Sequence, residues 1–221
     1  MTRTGAAARP EMDERAQTIL DWAEMHSRLL TAIAVGIVVI AGAFWFYTKS
    51  HEARARNAAT ALQQAELAVA SGNLALAQSN LEKIVDRYDA TRSGKQARLI
   101  LAQVRFDRGQ FADGIATLQP LTKADDKGLR ASAYNLLGSG YEADKKLEDA
   151  AKAYQQAADV TPYAVERDQY LASAARALTE GGKIDEAKKL WSRLASDPAS
   201  AVAAEARVRL GELEAKAVKQ S

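Results

Sequence analysis

Cysteine is absent from this 221-residue chain. That excludes disulfides, thiolate metal sites and cysteine nucleophiles together, and it fits the cytosol as well as the periplasm. Histidine is almost absent too: His26 and His51 are the only two, and both flank one greasy segment. With neither Cys nor a His pair, a transition-metal site would need carboxylates alone. There is no phosphate-cradling glycine loop and no Gly-x-Ser-x-Gly elbow. The adjacent carboxylates Asp125-Asp126 and Glu148-Asp149 read as turns or helix N-termini. The expectation is therefore no catalytic residue, no cofactor, no metal and no small-molecule substrate. A net charge of +2, from 30 Lys+Arg against 28 Asp+Glu, shows no basic stripe and argues against nucleic acid.

Proline is scarce, at four residues, while Ala, Leu, Lys, Glu and Gln are abundant. No stretch alternates apolar and polar for long enough to make a strand, so the fold class is all-α.

One run departs from this composition. Leu29 to Thr48 is 20 residues without a charge, bracketed by Arg28 and Lys49, and ten of them are Leu, Ile, Val or Phe. A helix of that length is about 30 Å long, the thickness of a bilayer's hydrocarbon core. Trp45 and Tyr47 sit where amphipathic rings prefer the headgroup boundary. Ala53-Arg54-Ala55 offers a signal-peptidase site, but the run exceeds a signal core of about 7–15 residues. The reading is an uncleaved transmembrane helix at 29–48, with a tail at 1–28 and the remainder at 49–221. In the flank from residue 9 to 28 three Arg (Arg9, Arg15, Arg28) face Lys49, Arg54 and Arg56 after the span, so charge leaves the orientation open. Ala32 and Gly36 form a small-xxx-small pair at which another membrane helix can approach.

After the span, one order of residues returns four times: a turn, an apolar residue, a small residue three on, and a large one four beyond. It reads Gly72-Asn73-Leu74…Ala77…Leu81, then Gly109-Gln110-Phe111…Gly114…Leu118, then Lys145-Lys146-Leu147…Ala150…Tyr154, then Gly182-Lys183-Ile184…Ala187…Trp191. The starts lie 37, 36 and 37 residues apart. The third unit carries Leu137, Gly138, Tyr141, Ala150, Tyr154, Ala157 and Pro162, and so resembles a tetratricopeptide repeat. The others are worn; Arg105 stands where Tyr141 does, and Gln64 where Leu137 does. Each unit is expected to be two antiparallel helices stacking on its neighbours into an α-solenoid of about four pairs, with a capping helix around Leu210-Gly211. Periods above the usual 34 or so predict longer helices or loops and a less regular superhelix.

In such arrays the first helices line the concave face. By register that lining is Gln103 and Phe106, then Asn135, Ser139 and Glu142, then Gln169 and Arg176. It lacks the Lys and Asn cluster that grips a C-terminal carboxylate, so a protein surface or extended segment is expected there, not an acidic tail.

The layout of tail, span, linking helix and worn repeats, with "FWFYTKSHEARARNAATALQQA" and "ARLILAQVRFDRGQFADGIATLQPL" as local carriers, is similar to the YfgM-like family. That resemblance implies an ancillary subunit of the bacterial SecYEG translocon. It would be anchored in the inner membrane with the tail cytoplasmic and the repeats periplasmic, where they meet emerging clients and chaperones. A cytoplasm-facing adaptor and a periplasmic protein coordinating envelope or division machinery are the alternatives.

Overall fold

The computed structural model describes residues 22 and 25–220; of residues 27, 30, 33, 34 and 216–220 only the backbone is described. The chain divides into two compact units, meeting at Ala53 and Arg54. Helix α1 is Ser27–Ala70, so the segment read as span and the linking helix form one continuous element.

Within the first unit, Ile37, Val38, Val39 and Ile40 are all more than 60% exposed, and Phe44, Trp45 and Phe46 are exposed as well. Successive residues of a helix point about 100° apart, so four in a row encircle it. This stretch is apolar on every side. Both histidines lie on aromatic rings one turn earlier, His51 on Tyr47 at 4.2 Å between centroids and His26 on Trp22 at 4.8 Å. Among the described residues, no helix is long and apolar enough to cross a membrane. The expected span is only partly among them, since the side chains of Leu30, Ile33 and Ala34 lie outside. The tail lies almost wholly outside, with Arg9 and Arg15.

Among its described residues the second unit consists of helices joined by short turns, with no strand. The end of α1 is followed by α2 (Leu74–Tyr88), α3 (Arg92–Asp107), α4 (Phe111–Leu118) with a 3₁₀ segment (Gln119–Lys123), α5 (Lys127–Ala143), α6 (Leu147–Val160), α7 (Ala164–Glu180), α8 (Ile184–Ser196) and α9 (Ala203–Gln220). From α2 onward each helix packs on its successor, and α3 also packs on α5. The pairs are the end of α1 with α2, then α3 with α4, α5 with α6, and α7 with α8; α9 follows alone.

The four turns inside the pairs are copies of one another. Gly72, Gly109, Lys145 and Gly182 all adopt a left-handed backbone, with φ of 75°, 73°, 62° and 75°. The next residue's N–H reaches back five residues in every case: Asn73 to Ala68, Gln110 to Arg105, Lys146 to Tyr141 and Lys183 to Leu178, at 2.8–3.0 Å. This Schellman closure satisfies carbonyls that a helix end leaves open. The carbonyl of that same residue then accepts the small residue's N–H, from Ala77, Gly114, Ala150 and Ala187. The register read from the sequence is thus the register of the turns. Between pairs, Thr91 and Asp126 cap α3 and α5 by accepting from the N–H groups of Gly94 and Leu129.

Irregularity concentrates in the second pair. Its second helix, α4, has only 8 residues, against 15, 14 and 13 for α2, α6 and α8. Pro120 lies at the start of the 3₁₀ segment that replaces its last turns.

The core is a chain of three clusters. Leu62, Ala65, Leu81, Ile84 and Leu101 make the first; Phe106, Leu118, Leu137 and Ala153 make the second; Tyr154, Leu171, Leu178, Trp191 and Leu213 anchor the third. Tyr141 packs against both the second and the third. Gly138 admits the Tyr154 ring so closely that a Cβ there would lie 2.5 Å from it.

Candidate protein-binding face

The face expected of the first helices falls on α3, α5 and α7, and its centre is a small polar network. The Tyr154 hydroxyl donates to Glu142 Oε2 at 2.7 Å and lies 3.3 Å from Ser139 Oγ, which in turn donates to the Asn135 carbonyl at 3.4 Å. Burial pushes the phenol up to about 12, and its hydrogen bond to Glu142 adds to this, while Ser139 and the positive charge of Arg176 oppose it. The phenol therefore stays protonated and acts as a strut between α5 and α6, with Ser139 and Glu142 half-buried around it.

The remaining expected residues lie on either side of this network. Gln103 is exposed and donates to Asp107 at 2.7 Å. Gln169 is exposed. Arg176 pairs with Glu205 of α9 at 2.6 Å and donates to Ser173. Arg209 also meets Glu205 and pairs with Glu212 at 3.1 Å. A cleft of about 240 Å³ opens beside them, floored by Trp191 and Leu213.

Phe106 does not belong to this face. It is 7% exposed, and its ring fills the space above Gly114 and Gly140, where an added Cβ would meet it at 2.3 Å. Register along one helix placed it among the lining residues; two glycines on neighbouring helices draw it inward. Ala32 is exposed, and a Cβ built on Gly36 would meet nothing within 4 Å, so the notch they form is open.

Two features of the face escaped the sequence. Arg105, in place of the aromatic, spans three helices: it pairs with Glu82 of α2 at 2.8 Å and donates to the Asp113 carbonyl and to Thr117 Oγ1 of α4. Glu82 is held below the ordinary carboxylate range, first by a hydrogen bond from Gln78 and then by Arg105 against the opposing effect of burial. The second feature is a cleft of about 710 Å³ where the first turns of α3 and α5 meet, lined by Arg92, Lys95, Gln96, Leu99, Asp126 and Leu129. Its cations precede the register positions that the repeat pattern picks out. Among the described residues no group of three or more His, Asp or Glu could hold a metal ion.

The tetratricopeptide repeat-like domain family matches residues 21–133 and 48–171. The chain belongs to that family. Its repeats share their fold with a solved structure of low sequence identity. A kinesin light chain protein of nearly identical TPR-like repeats from Podosopora anserina is 18% identical, covers 73% of this chain and 87% of its own, and superposes with a TM-score of 0.56. MamA from Desulfovibrio magneticus RS-1, from residue 41 to its end, is 21% identical over 72% of this chain and 76% of its own, with a TM-score of 0.49. No curated protein sequence matches the chain. The repeat family is consistent with a protein–protein interaction scaffold.

Proposed function

We propose that this is a non-enzymatic interaction scaffold held at a bilayer by Leu29–Thr48, with the repeats of residues 49–221 presenting their first-helix face to protein partners. The observation that carries the anchor is the ring of exposed apolar side chains at Ile37–Ile40. A helix apolar on every side is stable in lipid or deep in a protein core, and one exposed to water is not. The partner reading rests on the repeat family and on a face whose groups form struts and ion pairs.

The finer proposal, carried by the YfgM-like resemblance, is an ancillary subunit of the bacterial Sec translocon. Residues 1–28 lie in the cytoplasm, the repeats lie in the periplasm, and emerging clients and periplasmic chaperones are the partners. Alkaline phosphatase fused after Ser221 tests the topology: activity is expected, and its absence would move the repeats to the cytoplasm as a tethered adaptor. Photo-crosslinkers at Ala32 and Gly36 test the neighbour. Adducts with translocon helices are expected, and adducts with envelope synthases would overturn the translocon assignment. Co-purification in mild detergent with and without the first 48 residues separates the contribution of the span from that of the repeats.

A further inference from the structure

We infer that the cleft between the starts of α3 and α5 docks an internal acidic segment of a partner protein, one that carries leucine-like side chains between its carboxylates. This rests on the scaffold reading and names the chemistry of its partner.

A contrast within one helix points there. Helix α3 carries four cations. Arg98 is engaged by Asp89 at 2.7 Å and Arg105 by Glu82 at 2.8 Å. The side chains of Arg92 and Lys95 have no hydrogen bond or ion pair among the described residues, and they are the two that line the cleft. They stand three apart, on adjacent positions of one helix face. Lys95 is half-buried and Arg92 exposed. The one carboxylate in the lining, Asp126, is committed to its own helix as the cap accepting from the Leu129 N–H at 3.0 Å. Gln96 is turned to Glu66 of α1 at 3.3 Å.

The floor supplies the second half of the specificity. Leu99 and Leu129 are half-buried apolar side chains exposed within the cleft. A segment that covers them releases water from apolar surface, and its carboxylates meet Arg92 and Lys95 at the rim. A nucleic-acid backbone would need a longer basic stripe and gains nothing from leucines. The occupant is thus both acidic and apolar, which the register positions alone did not indicate.

The test is fluorescence anisotropy of the full chain in mild detergent. The probes are labelled, N-acetylated and C-amidated decapeptides that alternate Glu with Leu, Gln with Leu, or Glu with Ser. The Glu/Leu peptide is expected to bind. Both others should bind at least about tenfold more weakly, because one cannot pair with the two cations and the other cannot cover the two leucines. Arg92→Glu combined with Lys95→Glu should weaken the Glu/Leu peptide by about tenfold or more, while Arg167→Glu combined with Lys188→Glu should not. Should the reversal disturb melting, Arg92→Gln with Lys95→Gln takes its place. Absence of Glu/Leu binding, equal binding of Gln/Leu, or indifference to the Arg92/Lys95 change each overturns the inference. Photo-crosslinkers at Gln103 and Asn135 in cells separate the two levels. Discrete partner adducts there beside an indifferent cleft would leave the scaffold standing without this site; none at either place would remove both.

Discussion

A left-handed backbone costs a residue with a Cβ about 1–2 kcal/mol, and the four pair-closing turns all require one. Three use glycine, and the third uses Lys145 at φ 62°. Replacing Lys145 with Gly should therefore raise stability by about 0.5–1 kcal/mol, and replacing Gly109 with Ala should lower it by about 1–2 kcal/mol, both read from denaturant midpoints. Glycine announces such a turn in a sequence. Lysine does not, and only the spacing of Leu147, Ala150 and Tyr154 behind it marks the place. Tyr154 offers a second residue-scale test. Its phenol is raised from its ordinary range to about 12 in the folded chain, so the unfolded chain loses that proton first as pH rises. Its contribution is intact below pH of about 10 and is lost as pH rises from there through about 12. Denaturant midpoints should fall over that window, and Tyr154→Phe should flatten the fall. The same residue accounts for where Ser139 and Glu142 lie, around its hydroxyl, while Phe106 is set by other contacts. The first two sit where one helix meets its own partner, which spacing reveals. Phe106 is placed by glycines 8 and 34 residues further along the chain.

Helices were readable where one face is apolar and less so where their ends are set by neighbours. The shortening of α4 is an example. Periods of 36–37 residues pointed to irregularity, but the place of it depends on Pro120 starting a 3₁₀ segment. The contact face of α6 is clearer. Ala150 is fully buried against the third cluster, so Ala150→Asp places an unpaired carboxylate between helices and should cost several kcal/mol, about 2–5. Circular dichroism should show lost helix or a much lower melting point; an unchanged melt would refute the packing described. For α1, the apolar ring at Ile37–Ile40 predicts that Val38→Lys with Val39→Lys opposes insertion by about 5–7 kcal/mol. Alkaline-carbonate extraction should then move the chain from the membrane pellet to the supernatant. Retention in the pellet would mean that something other than this segment holds it.

In the second unit, order along the chain is order in space, because each helix packs mainly on its neighbours. That much followed from the repeat alone. The division of its core into three clusters did not, since it depends on which side chains straddle two pairs. Tyr141 belongs to the second and third clusters at once, whereas among the described residues no side chain is shared between the first and second. Hydrogen exchange should therefore respond unevenly to Tyr141→Ala: faster in α5–α8, unchanged in α2. Uniform acceleration would show that the clusters open as one. If they do not, α3 is the fracture line of the array, since it alone carries Leu101 on one side and Phe106 on the other. Heat, load or a protease would break the molecule there first. The released C-terminal portion would keep the phenol strut and Arg176 but lose the cleft that offers Arg92 and Lys95, so a single break would part the two proposed surfaces.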